Sequence, residues 1–246
     1  MTELPLFHNR KTGKPIWVNL TGHVLLSGST SSGKSVAMLH IVHCISKLSS
    51  TGDKLTILDY KGSKDWKELR GITGYYSVEE SKVGFEQAYL LFRNQLEGVI
   101  QIGDNIHWLV IEEMASLAES YTSKAEKAEF FQRFGEMLRL SRNIGDGEGG
   151  WRIIVTMQQP DSSLLGGTQN RSNFGLRICI GGISSEGKRM MFDHQDNDPI
   201  EVTSSSSGKG YAQQYGNLIM PIIFPYEKRR NLVFSRIKTM LKRSAM

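Results

Sequence analysis

The chain has 246 residues, 39% hydrophobic and 22% charged, with a formal net charge of +5 and two cysteines. That content can build a sizeable core and excludes a disordered chain or a disulfide-stapled mini-protein, and no run approaches the roughly 20 apolar residues of a membrane-spanning helix. The opening Met1-Thr-Glu-Leu-Pro5 has neither the basic nor the apolar region of an export signal, and Cys44 and Cys179 sit far apart in apolar stretches. The expectation is therefore one domain over residues 1–246, cytoplasmic, with buried free thiols.

In chain order, residues 23–27 read as a buried strand, and residues 28–35, Gly-Ser-Thr-Ser-Ser-Gly-Lys-Ser, complete a G-x-x-x-x-G-K-[ST] loop. Glycines at 28 and 33 let the backbone curl around an anion without a Cβ clash, and the following helix start adds further N–H donors. The pattern assigns Gly28, Ser29, Thr30, Ser31, Ser32, Gly33, Lys34, Ser35 and Val36 to ATP. Lys34 is expected to reach the β- and γ-phosphates, and the Ser35 hydroxyl to ligate Mg²⁺.

Residues 36–48 then carry Met38, Leu39, Val42 and Ile45 on one helical face. A strand at 55–58 ends at Asp59-Tyr-Lys-Gly62. A helix follows at 85–96, a strand at 107–111, a long helix at about 124–142, and strands at 152–156 and 176–180. Strands alternating with helices predict an α/β fold, a mainly parallel sheet flanked by helices. Glycine-rich breaks at 145–150 and 204–210 read as surface loops. Residues 227–246 hold seven Lys or Arg against one Glu, so this segment carries +6 and the remainder −1. Val233, Ile237, Met240 and Leu241 share one face, which predicts a basic amphipathic helix. It is either a terminal helix with a solvated basic face or a contact for nucleic acid or an acidic partner.

Two strand ends carry polar groups that suit nucleotide hydrolysis. Glu112 and Glu113 directly follow the strand at 107–111. An acid there holds Mg²⁺ and its neighbour polarises the attacking water, which puts Glu112 in the metal role and Glu113 in the catalytic one. Because Glu112 is longer than the more usual Asp, the Mg²⁺ geometry is constrained; the alternative is an acidic helix cap. Gln158 ends the strand at 152–156, where it suits sensing the γ-phosphate or holding the water; a turn-making amide is the other reading.

Several of these segments, in order, resemble the FtsK/SpoIIIE group of the FtsK–HerA DNA-pumping ATPases. The stretch from Gly13-Lys-Pro-Ile-Trp to Ser-Gly-Lys-Ser-Val36 is similar to that group's entry into its motor domain, and Ile57-Leu-Asp-Tyr-Lys61 to its second strand end. Leu109-Val-Ile-Glu-Glu113, then Arg139-Leu-Ser-Arg142 with Ile153 to Pro160, and finally Asn173-Phe-Gly-Leu-Arg-Ile178 with Ser184 to Arg189, resemble the later motifs. Met157-Gln158-Gln159-Pro160 departs from the group's Thr-Gln-Arg-Pro, and the loop at 143–151 is longer than its pattern. The resemblance covers about residues 13–220. It implies a RecA-like P-loop NTPase fold and an ATP-driven ring, usually a hexamer, that moves double-stranded DNA by its phosphate backbone without reading sequence. It also implies a cation supplied by a neighbouring copy, for which Arg177 and Arg142 are the candidates. A conjugative coupling ATPase of the type IV kind, docked to a membrane channel by a partner and served by a relaxase or initiator protein, is the alternative. So is a nucleotide-gated DNA-binding module with little turnover.

Overall fold

Ten strands form a single sheet in the computed structural model, which describes residues 3–161, 163–193, 200 and 207–243. In spatial order they are β2 (Pro15–Val18), β1 (Leu4–Asn9), β10 (Met220–Ile223), β9 (Lys209–Gln214), β8 (Phe174–Ile180), β3 (His23–Gly28), β7 (Gly150–Met157), β6 (Ile106–Glu112), β4 (Lys54–Asp59) and β5 (Tyr75–Ser77). From β8 to β5 every pairing is parallel. The mainly parallel sheet is thus as expected, but β9, β10, β1 and β2 add an antiparallel wing that no periodicity announced.

The helices are α1 (Lys34–Leu48), α2 (Glu80–Leu96), α3 (Met114–Glu119), α4 (Lys124–Leu140), α5 (Thr168–Arg171), α6 (Ser185–Met191) and α7 (Arg230–Arg243). They cover both faces of the sheet, because side chains alternate along each strand and both rows here are apolar. Val24, Leu26, Leu55, Ile57 and Val110 pack with α1 and α7, whereas Leu25, Leu58, Leu109 and Ile111 pack with α2, α3 and α4. Each such buried aliphatic side chain contributes roughly 1.5–3 kcal/mol, so the strands that carry the site are anchored from both sides.

Local signals set the helix limits. Ser123 caps α4 through Glu126 in a reciprocal capping box, and α4 ends in a 3₁₀ turn over Ser141–Asn143. Val233, Ile237, Met240 and Leu241 of α7 are buried together with Phe234, so the C-terminal helix lies on the domain with its charged residues outward. Residues 244–246 of that segment, and 204–206 of the glycine-bearing break at 204–210, lie outside the described residues. Cys44 and Cys179 are buried and unbridged. Among the described residues no helix is long and apolar enough to cross a membrane.

Candidate nucleotide-binding site

All six residues of β3 are buried, and the strand runs between β7 and β8 in the middle of the parallel block. Its last residue, Gly28, opens the loop. A Cβ there would lie 2.6 Å from both the Ile180 carbonyl oxygen and Ser32 Oγ, so only glycine fits. Gly33 (φ 92°) makes the left-handed turn that launches α1, whose first turn carries no acid. The open N–H groups and positive end of this helix therefore face the loop, ready for an anion.

Two side chains at the start of α1 meet the end of β6. Lys34, 8% exposed, donates from Nζ to Glu113 Oε2 at 2.9 Å, and Ser35 Oγ donates to Glu112 Oε1 at 2.9 Å. Alternation along β6 would send Glu113 to the opposite face from Glu112. Instead Glu113 leaves the strand at φ 60°, ψ 74°, and this left-handed turn puts its carboxylate beside Lys34. The turn is held from β7: the Glu113 N–H donates to Thr156 Oγ1 at 2.8 Å, and the Gln158 N–H to Glu113 Oε1 at 3.3 Å. A cleft of about 280 Å³ runs along the loop, lined by Ser29, Thr30, Ser31, Gly33, Lys34, Ser35 and Val36, with Lys61, Asp65 and Gln158 opposite. It adjoins a wider cleft of about 720 Å³ that reaches Gly28, Glu113 and α6 and shares Ser29 and Gln158.

Electrostatics fit a divalent ion at Glu112. Burial pushes its carboxyl up to about 7; the Ser35 hydrogen bond and Lys34 oppose that, while the charges of Asp59 and Glu113 add to it. Glu112 Oε2 is buried without a hydrogen-bond partner. A hydroxyl and a carboxylate are hard oxygen donors of the kind Mg²⁺ takes, and an arriving dication would deprotonate Glu112 and fill the gap at Oε2. Among the described residues no group of three or more His, Cys, Asp or Glu could hold a metal, so such an ion would keep waters and nucleotide phosphates as its other ligands.

The loop residues, Lys34, Ser35, Glu112, Glu113 and Gln158 are thus brought together, and the two arginines are not. Arg177 lies in mid β8, 5% exposed, donating to Asp193 Oδ1 at 3.1 Å and to Oδ2. Its charge is satisfied within the chain, and the Asp193 carboxyl is held below its usual range chiefly by this hydrogen bond. Arg142 is exposed in the 3₁₀ turn after α4, its guanidinium near Gly22 at the start of β3, the end of the sheet away from the loop. Sequence reasoning gave no role to Lys61, Asp65 or Thr156. Lys61 is the one with a readable signal, a cation two residues beyond a strand end.

Fold and site together define a RecA-like P-loop NTPase architecture, a mainly parallel sheet with the phosphate loop at the end of a central strand. No protein-family model matches the chain, and no curated protein does either. Among solved structures it is similar to the cytoplasmic domain of the type VII secretion ATPase EccC of Thermomonospora curvata, with a TM-score of 0.65, 17% identity, and 98% of this chain and 31% of that one covered. The pCW3 conjugation coupling protein TcpA with ATPγS gives 0.65 and 18%, covering 95% and 69%. The genome packaging NTPase B204 of Sulfolobus turreted icosahedral virus 2 with ATPγS gives 0.52 and 15%, covering 85% and 100%. The chain thus spans about a third of the EccC chain.

Proposed function

We propose that this chain is an ATP-dependent double-stranded DNA translocase motor of the FtsK/SpoIIIE kind, working as a ring of copies, hexameric by that resemblance, in DNA transfer, packaging or segregation. The observation that carries the ATPase half is the double pairing of Lys34 with Glu113 and Ser35 with Glu112 beside an anion-ready helix start. The DNA half is supported by the likeness to TcpA and B204, named as a conjugation coupling protein and a genome packaging NTPase, and by the outward basic face of α7.

The residues divide the work as follows. Lys34 leaves Glu113 to neutralise the β- and γ-phosphates held at the start of α1. Glu113, released but still held by the Gln158 N–H, orients a water toward the γ-phosphorus. The new P–O bond forms as the bond to ADP breaks, and the water's proton leaves through Glu113. Ser35 and Glu112 would hold Mg²⁺, which when bound stabilises charge on the transferring phosphoryl group. The Gln158 side chain, exposed at the end of β7, lines the cleft where a γ-phosphate is sensed. Since Arg177 is occupied by Asp193, Arg142 is the better placed of the two to serve a neighbour's site.

The test is phosphate release with and without duplex DNA, alongside light scattering for assembly. Hydrolysis is expected to rise with DNA length, to ignore sequence, and to lose stimulation at least about tenfold between 50 and 200 mM salt, as backbone binding requires. Lys34→Ala abolishes turnover, and mixing it with Arg142→Ala restores part of it at mixed interfaces. A monomer with full DNA-stimulated turnover refutes the ring. The likeness to TcpA favours a second reading, a coupling ATPase that is cytoplasmic and recruited to a membrane channel by a partner. Nucleotide binding with little hydrolysis, with or without DNA, would instead favour a nucleotide-gated module, and hydrolysis indifferent to DNA an engine for secretion as in EccC.

A further inference from the structure

Asp59 closes β4 as Glu112 closes β6, and the two are register partners on adjacent parallel strands, whose backbones run roughly 4.8 Å apart. Both fall in the row of residues that faces α1, the row of Ile57 and Val110. Asp59 is fully buried. Its Oδ2 accepts from the Tyr75 hydroxyl at 2.7 Å and from the Ser63 N–H at 2.8 Å, while Oδ1 has no hydrogen-bond partner. Glu112 is arranged alike, with Oε1 taking the Ser35 hydroxyl and Oε2 left bare. Two carboxylates thus stand side by side behind Ser35, which lines the nucleotide cleft, each tied down by one oxygen and each with the other buried and unsatisfied.

An asparagine at 59 could accept the same two hydrogen bonds from Tyr75 and Ser63, so what aspartate adds is the charge. Burying a carboxylate without a partner costs several kcal/mol, and a second carboxylate beside it makes that worse. The arrangement is favourable once a dication enters, because both free oxygens and the Ser35 hydroxyl are hard donors. We propose that Asp59 is a positioning carboxylate of the Mg²⁺ site, sharing with Glu112 the hold on the hydrated ion that accompanies the nucleotide. This rests on the reading of the cleft as an ATP site. It also accounts for a longer Glu at the metal position, since the neighbouring strand supplies the shorter acid.

The test measures the metal itself. Mn²⁺ is titrated by electron paramagnetic resonance into the 246-residue chain carrying a non-hydrolysable ATP analogue, and nucleotide affinity is measured separately in the absence of metal. Asp59→Asn is expected to bind metal-free nucleotide within about twofold of wild type or more tightly, while Mn²⁺ affinity falls about 10–100-fold, the range for losing an outer partner of a metal site. Asp59→Glu, which keeps the charge, is expected to regain most of that affinity. Mn²⁺ affinity unchanged in Asp59→Asn, or an equal loss in both variants, overturns the proposal and leaves Asp59 a structural anchor for Tyr75 and Ser63. Failure of the wild type to bind nucleotide would instead overturn the ATP-site reading beneath it.

Discussion

Glu113→Gln separates binding from turnover, because the same carboxylate that would orient the water also holds Lys34. The pair is 2.9 Å apart with side-chain exposures of 9% and 4%. At an effective dielectric of about 20, its gross attraction is roughly 6 kcal/mol. Most of that offsets the desolvation of two buried charges, so the net hold on Lys34 is small, and a glutamine still accepts a hydrogen bond from it. Nucleotide then competes with an amide rather than a carboxylate for the ammonium. Affinity for ATP is expected to rise by up to about tenfold, which is about 1.4 kcal/mol. Removal of the water-orienting charge is expected to cost about 10²–10⁴ in the chemical step, or roughly 3–5 kcal/mol of barrier. Fluorescent-nucleotide titration reads the first quantity and single-turnover phosphate release the second. Turnover within about threefold of wild type, or ATP binding weakened more than about tenfold, would refute the assignment of Glu113.

Gly28→Ala forces a Cβ to 2.6 Å from the Ile180 carbonyl oxygen, so the loop or β8 must shift. A cost of about 1–3 kcal/mol is expected, read as a melting temperature lower by roughly 2–10 °C with loss of nucleotide binding; a wild-type melt and affinity would contradict the packing described here. Stability should also fall in acid. Burial holds His23 down at about 3 and His107 at about 4, so both are neutral in the fold. Their depressed values mean the unfolded chain binds more protons below about 6.5, and the stability present above that pH is lost as pH falls toward the folded values. Each contributes a slope of up to about 1.4 kcal/mol per pH unit in that window, while Glu112, raised to about 7, contributes one of opposite sign and similar size, so the net slope is that of about one group, checked by urea unfolding at pH 7.5, 6 and 5. His107→Gln is expected to lower the slope between pH 6.5 and 5 by up to about 1.4 kcal/mol per pH unit, and a slope equal to that of the wild type would show that His107 is not held neutral by burial.

What the sequence by itself determined was local. The loop at 28–35 is legible because an anion cradle depends on consecutive backbone groups, and the strands at 23–27, 55–58, 107–111, 152–156 and 176–180 because strands buried on both faces are continuous apolar runs. β1, β2, β9 and β10 escaped for the converse reason. They are short, Pro5, Pro15 and Pro221 interrupt them, and β9 reads Lys-Gly-Tyr-Ala-Gln-Gln, so only their neighbours make them strands. The site was legible in composition but not in connection. That Glu113 turns back to Lys34 depends on Thr156 of β7 and on Gln158 just beyond it, and that Arg177 is occupied depends on Asp193, sixteen residues along the chain. The pairing of Asp59 with Glu112 is set by the register of β4 against β6, which brings together residues 53 positions apart. Such contacts are fixed by strand order and by which face each side chain takes, and these arise only when the whole sheet buries both its surfaces at once.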